Sequence, residues 1–199
     1  MVRDPERHIL RRFRIRVGRS ETSSYPHIGV RGGRIRLAEV FGELGFTKGV
    51  EVGVREGKYS EVLCETIPNL QLSCVDPWAA YEVTGQEDQD KLRAKAIERL
   101  APYGVRFLQM TSMEAVGSFE DHSLDFVYID GDHTFDAVMC DIMFWNRKVR
   151  VGGVLAGHDF FCCPDISRAV QAYVDSHNVI ESWFVLRENN GGTFFWVVK

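Results

Sequence analysis

The sequence predicts an α/β fold: a Rossmann-like, seven-stranded, mostly parallel sheet with helices on both faces and a C-terminal antiparallel hairpin. Three observations predict it. Five short apolar runs alternate with five stretches of helical spacing, the pattern of a parallel sheet covered on both sides. The runs are short and end at Gly, Asp or His, as strands feeding ligand-facing loops do. The last two apolar runs are joined by only five residues, Arg187–Gly191, too few for a parallel crossover.

The elements follow in order. Residues 1–36 carry no clean period and are broken by Gly29, Gly32 and Gly33, although a short helix fits Pro5–Phe13. Leu37, Val40, Phe41 and Leu44 have helical spacing, with Gly45 as the C-cap. Gly49–Val54 reads as a buried strand, with a helix from Gly57 to Ile67. Leu70–Val75 is the second strand, and Leu92, Ala96 and Leu100 mark the helix after it. Val105–Leu108 is the third, followed by a short helix over Ser112–Phe119. Leu124–Ile129 is the fourth, and Phe135, Val138, Met139 and Ile142 line one face of the next helix. Gly153–Ala156 is the fifth. Ile166, Ala169, Val170, Tyr173 and Val174 then follow the i, i+3, i+4, i+7, i+8 pattern of an amphipathic helix. Trp183–Leu186 and Thr193–Val198 close the sheet.

Composition narrows the class. The 199 residues are 45% hydrophobic, which excludes a disordered chain, and no apolar run approaches the ~20 residues of a membrane helix. The Arg-dense start lacks the apolar core of a secretion signal, and five cysteines without scaffold spacing fit a reducing, cytoplasmic setting. Cys64, Cys74 and Cys140 read as core residues; Cys162 and Cys163 fall in a loop, with no activating base beside them in sequence. The net charge of −4 is a composite: residues 1–36 carry +7, and the rest −11. A basic arm (1–36) therefore precedes an acidic domain (37–199). The arm is expected to pack on the chain's own acids or to cover the site, rather than to grip nucleic acid.

Ligands of open α/β sheets bind at the carboxyl ends of the strands, so the residues there are the candidates. The first loop is Glu51-Val-Gly53-Val-Arg55-Glu56-Gly57-Lys58-Tyr59-Ser60. Gly53 and Gly57 permit a tight turn and a close approach to a ligand. Arg55 and Glu56 obstruct a dinucleotide pyrophosphate, which argues against a nicotinamide oxidoreductase; Glu51 and Glu56 suit a ligand with cationic groups. Asp76 ends the second strand, 25 residues after Glu51, where an acid commonly receives two ribose hydroxyls. Trp78 either stacks on a base or covers the core. Asp130-Gly131-Asp132-His133 ends the fourth strand and Gly157-His158-Asp159 the fifth. If those strands are neighbours, Asp130, His158 and Asp159 converge on one divalent cation, with oxygen donors favouring Mg²⁺ or Mn²⁺ and imidazole shifting the choice towards Mn²⁺, Fe²⁺ or Zn²⁺. Asp132 and Thr134 can alternatively cap the following helix.

These motifs, with Val75-Asp76-Pro77-Trp78 and Gly152–Asp159, resemble the class I S-adenosylmethionine (SAM)-dependent methyltransferases, over about residues 37–199. Within them the sequence is similar to the small metal-dependent O-methyltransferases, the branch of catechol, caffeoyl-CoA and macrocin O-methyltransferases. The resemblance implies that Gly53, Gly57 and Ser60 line the methionine part of SAM, with Glu51 near its ammonium. It implies that Asp76 and Trp78 serve the nucleoside and that Ser112 and Met113 flank adenine. It further implies that Asp130 adjoins both SAM and a metal held with His158 and Asp159. His158 stands where those relatives usually carry Asp, which leaves the metal's identity open. The expected reaction is methyl transfer to a hydroxyl of a small molecule or sugar, with His133 as the base, its ordinary pKa being near neutrality, or Asp132 in its place. Two other readings stay open: a metal-independent methyltransferase acting on nitrogen or nucleic acid, and a non-catalytic SAM-binding or assembly protein. The small size is compatible with a homodimer. The acceptor is expected to meet Tyr25–Arg36, Tyr81–Asp90 and Phe160–Asp165.

Overall fold

The computed structural model describes residues 4–15, 27–81, 84–177, 183–188 and 191–199. Among the described residues eight strands form one sheet: β1 (His27–Arg31), β2 (Lys48–Val52), β3 (Gln71–Val75), β4 (Arg106–Leu108), β5 (Leu124–Ile129), β6 (Val149–Gly157), β7 (Trp183–Arg187) and β8 (Thr193–Val197). Seven α-helices accompany them: α1 (Pro5–Arg12), α2 (Gly33–Leu44), α3 (Lys58–Thr66), α4 (Gln86–Leu100), α5 (Ser112–Val116), α6 (Phe135–Asn146) and α7 (Pro164–His177). The strand order is β1-β7-β8-β6-β5-β2-β3-β4. Only β8 runs antiparallel, wedged between β6 and β7, because its short connection to β7 forces a reversal. The seven expected strands are all present. The eighth, β1, lies in the segment without a clear period and extends the sheet beyond β7.

Alternate residues of the central strands feed two cores, as the pleat requires. Phe126 and Tyr128 of β5 join the layer of α1–α4, and Val127 and Ile129 join the layer of α6 and α7. Helices therefore cover both faces. Gly45 ends α2 in the left-handed conformation, as its place in the sequence predicts. The buried face of α6 differs from expectation: it is Val138, Asp141, Ile142 and Trp145, while Phe135 is partly open to solvent. The stripe turns because the Asp141 carboxylate accepts a hydrogen bond from Ser112 and Trp145 donates to the same hydroxyl. A polar partner inside a mostly apolar layer lets an acid sit on the inward face.

The described parts of the basic arm are built into this body. Ile9 and Phe13 are fully buried, and Phe13 packs on Phe195 of β8 with ring centroids 6.1 Å apart. Arg12 bonds Glu39 and Glu43 of α2, and Arg36 lies over the Phe13 ring. Among the described residues no helix is long and apolar enough to cross a membrane.

Candidate active site

The sheet changes winding direction between β2 and β5, which pair directly through Val52 and Ile129. A crevice opens at such a switch, on the carboxyl side of the strands. The loop after β2 enters it through Gly53, whose φ is +86° and whose amide donates to the Val75 carbonyl at 2.9 Å. A Cβ at Gly53 would stand 2.1 Å from the Asp130 carbonyl oxygen, so only glycine lets the ends of β2 and β5 close together.

Glu51 is 2% exposed, faces the α1–α4 layer and accepts a hydrogen bond from Ser60. Burial pushes its carboxyl up to about 8, against the opposing pull of the Ser60 bond. A cation brought beside Glu51 would find a carboxyl that is costly to ionise alone. Asp76 accepts from the Arg55 and Trp78 amides, each at 2.8 Å; burial nevertheless holds it above the usual carboxylate range. Trp78 is 1% exposed and packs near Phe107, while its indole N–H donates to the Arg55 carbonyl at 2.8 Å. Trp78 thereby ties the glycine loop to the core. Ser112, at the start of α5, is fixed by Asp141 and Trp145, and burial raises the Asp141 carboxyl to about 6. Met113 beside it is exposed. A capping box between Thr111 and Glu114 fixes this corner.

β5 and β6 are neighbours, and their ends bring the acidic and histidine residues together. His158 Nδ1 lies 2.9 Å from Asp159 Oδ1 and 4.0 Å from Asp130 Oδ1. One atom from each of Asp130, His158 and Asp159 lies within 4.8 Å of the others. His133 Nε2 stands 3.7 Å from Asp130 Oδ1 and 3.6 Å from Asp159 Oδ2. The nearby carboxylates, Asp130 foremost and then Asp159, hold His133 above its ordinary pKa despite partial burial. Burial alone would lower His158, but Glu188 and Asp130 outweigh it and raise that imidazole too. His158 Nε2 is buried 3.6 Å from Glu188 Oε2, beyond hydrogen-bond reach, and has no partner among the described residues. Asp132 is exposed, and its Oδ1 accepts from the Thr134 amide at 2.8 Å, turning the chain into α6; the Thr134 side chain makes no capping bond. A pocket lies against Asp130, Asp132, His133, His158, Ile166 and Phe194.

Sequence reasoning missed two participants. Arg34, in α2, places Nη1 3.3 Å from Asp130 Oδ2 and lies over the Tyr59 ring at 5.2 Å. Glu188, just beyond β7, accepts from the Arg34 amide at 2.8 Å and from the Thr193 hydroxyl. The pairing of β1 with β7, and of β7 with β8, brings them there. The vicinal cysteines also need correction: Cys163 Sγ lies 3.7 Å from His133 Nδ1, so a base does stand beside them, supplied by a loop 30 residues away. Phe160 packs on Trp183, and Phe161 is exposed beneath Arg187.

A doubly wound sheet with a glycine turn, a buried acid on β2 and an acid ending β3 is an α/β domain whose ligand crevice lies at the switch point. The chain belongs to the methyltransferase domain family, whose pattern matches residues 50–160. Similar solved structures share the fold. The O-methyltransferase from Bacillus cereus, in complex with SAH, superposes with a TM-score of 0.63 at 12% identity, covering 98% of this chain and 90% of that one. The O-methyltransferase TomG from Streptomyces achromogenes, in complex with SAM, gives 0.60 at 14% identity, with 83% and 80% covered. By sequence the chain is 29% identical over 115 residues to the uncharacterized protein y4gI of Sinorhizobium fredii; the match takes in 55% of this chain but only 13% of that protein.

Proposed function

We propose that this chain is a SAM-dependent methyltransferase that methylates a hydroxyl oxygen of a small molecule or sugar, with a divalent cation held by Asp130, His158 and Asp159. The observation that carries the reading is the convergence of those three residues with His133 at the switch point, beside the Gly53 turn. The donor set fits a cation. Around an octahedral ion with bonds near 2.1 Å, neighbouring ligands stand about 3.0 Å apart and opposite ones about 4.2 Å. The 2.9 Å and 4.0 Å separations around His158 Nδ1 are short enough for these three side chains to hold one such cation. Two carboxylates with one imidazole suit Mn²⁺ or Mg²⁺, with Fe²⁺ or Zn²⁺ also compatible.

Glu51 and Ser60 would receive the ammonium end of SAM, and Gly53 and Gly57 would let it lie against the backbone. Asp76 would take the ribose hydroxyls, and the Ser112–Met113 corner would border adenine. SAM supplies a methyl group already activated by its sulfonium, and the cation supplies a lowered pKa for the acceptor hydroxyl. The protein's task is then alignment and deprotonation. His133 suits the second: it is 40% exposed on its side chain, and two carboxylates stabilise the imidazolium it becomes. Asp132, already committed to the Thr134 amide, is less suited.

The test is transfer of label from [methyl-³H]SAM to a panel of catechols, simple phenols and sugars with Mn²⁺ or Mg²⁺, and again in EDTA. Metal-dependent labelling of a hydroxyl is expected. Full transfer in EDTA would remove the cation's role, and absence of SAM binding by calorimetry would sink the reading as a whole.

A further inference from the structure

We propose that His133, Asp159 and Cys163 form a second metal site, for a thiophilic divalent cation of the Zn²⁺ or Co²⁺ class. It shares Asp159 with the cation proposed at Asp130 and His158, Oδ2 facing His133 and Oδ1 facing His158. The effect of its occupation on methyl transfer rests on the function proposed above; the site itself does not.

The three residues come from two facing loops, His133 after β5 and Asp159 with Cys163 after β6. One donor atom from each lies within 4.8 Å of the other two. The 3.7 Å between His133 Nδ1 and Cys163 Sγ is long for a strong hydrogen bond but near the ligand-to-ligand edge of tetrahedral zinc. With Zn–S near 2.3 Å and Zn–N near 2.0 Å, that edge is about 3.5 Å. Three protein donors leave a fourth position for water. A thiolate in the set selects borderline and soft cations over Mg²⁺.

The local backbone supports the assignment to Cys163 rather than Cys162. Asp159 has φ +58°, and its carbonyl accepts from the Cys163 amide at 3.1 Å, which folds the loop so that the Asp159 and Cys163 side chains approach. The Cys162 thiol is exposed and donates instead towards the Asp159 carbonyl at 3.6 Å. Cys163 directly precedes α7, a helix of 14 residues whose first amides favour an anion. His133 is exposed enough for an ion to arrive from solvent.

An ion on His133 removes the lone pair needed to accept a proton. A thiophilic cation at this site would therefore inhibit, whereas a hard cation at the neighbouring site would support the reaction.

The test is Co²⁺ titration of the metal-free full chain, followed by the near-ultraviolet thiolate-to-Co²⁺ charge-transfer band, a readout that needs neither SAM nor acceptor. The wild type is expected to develop the band at one equivalent. Cys163→Ala and Cys163→Ser should lose it, with unchanged thermal unfolding. Cys162→Ala and Asp130→Ala should keep it. Absence of the band in wild type, its survival in both Cys163 variants, or its loss in Cys162→Ala overturns the site. Retention of the band in Asp130→Ala with no methyl transfer by wild type under any metal would leave this site standing and the proposed function fallen.

Discussion

Arg34 reaches across 96 residues of chain to set its guanidinium 3.3 Å from the Asp130 carboxylate, so a residue of the basic N-terminal arm occupies one side of the acidic centre. The other oxygen of Asp130 faces His133 and His158. A divalent cation therefore meets a carboxylate already partly neutralised. Replacing Arg34 with Met should tighten Mn²⁺ binding several-fold, on the order of 1 kcal/mol for a partly exposed pair. Mn²⁺ titration followed by electron paramagnetic resonance measures this, and an unchanged or weakened affinity would show that Arg34 does not compete.

Glu51 gives the fold a distinct pH dependence. Its folded pKa of about 8 lies above the ordinary value of 4.5, so the folded chain holds a proton there that the unfolded chain releases. Stability from this group is fully present below about pH 4.5 and declines as pH rises through about 8. Glu51→Gln keeps the shape and a hydrogen-bond partner for Ser60 without a charge to bury. At pH 8.5 or above this variant should be more stable than wild type by a few kcal/mol, and at pH 4.5 nearly equal to it. Thermal unfolding at both pH values checks the prediction; parallel curves would refute it.

The two glycines of the first loop should differ in cost. Both have positive φ, but a Cβ at Gly53 meets the Asp130 backbone at 2.1 Å, whereas one at Gly57 meets a Leu100 methyl at 3.1 Å. A methyl can yield and a strand end cannot. Gly53→Ala should destabilise by about 3 kcal/mol or more and Gly57→Ala by roughly 1 kcal/mol. Urea unfolding that ranks them in the reverse order would contradict this account.

Asp159→Asn separates the metal role from the SAM role. The amide retains the size of the side chain but lowers its charge beside His133 and His158. Mn²⁺ affinity should fall at least tenfold, while SAM affinity, which the proposed function assigns to Glu51, Asp76 and the glycine turn, should change less than threefold. Calorimetry with each ligand distinguishes the two, and a parallel loss of both would show that Asp159 supports the whole crevice.

The sequence made the strand ends legible because apolar runs stop abruptly there. Asp76, Asp130, His158 and Asp159 all sit at such breaks, and the structure brings the last three together. Arg34 and Glu188 were not legible. They are 154 residues apart, and only the pairing of a strand from the arm with one near the end of the chain joins them. His133 and Cys163 were each visible, but their 3.7 Å approach depends on which loops face each other. The face of α6 was misjudged at Asp141 because periodicity assigns an acid to solvent, whereas a hydroxyl and an indole supply this one with a buried partner. Trp78 could not be assigned from sequence, since stacking on a ligand and bracing a loop require the same residue type.

The strand order has a consequence for assembly. β1's one neighbour in the sheet is β7, and β7 is tied to the rest of the sheet through β8. Within this sheet β1 therefore has no partner until β7 has been made. A core of β2 to β6 can form from near neighbours in sequence, whereas closure of β1 must bridge most of the chain. Arg34, which follows β1, can therefore meet Glu188 only once β1 has paired with β7, so closure of the sheet edge and completion of the acidic centre are one event.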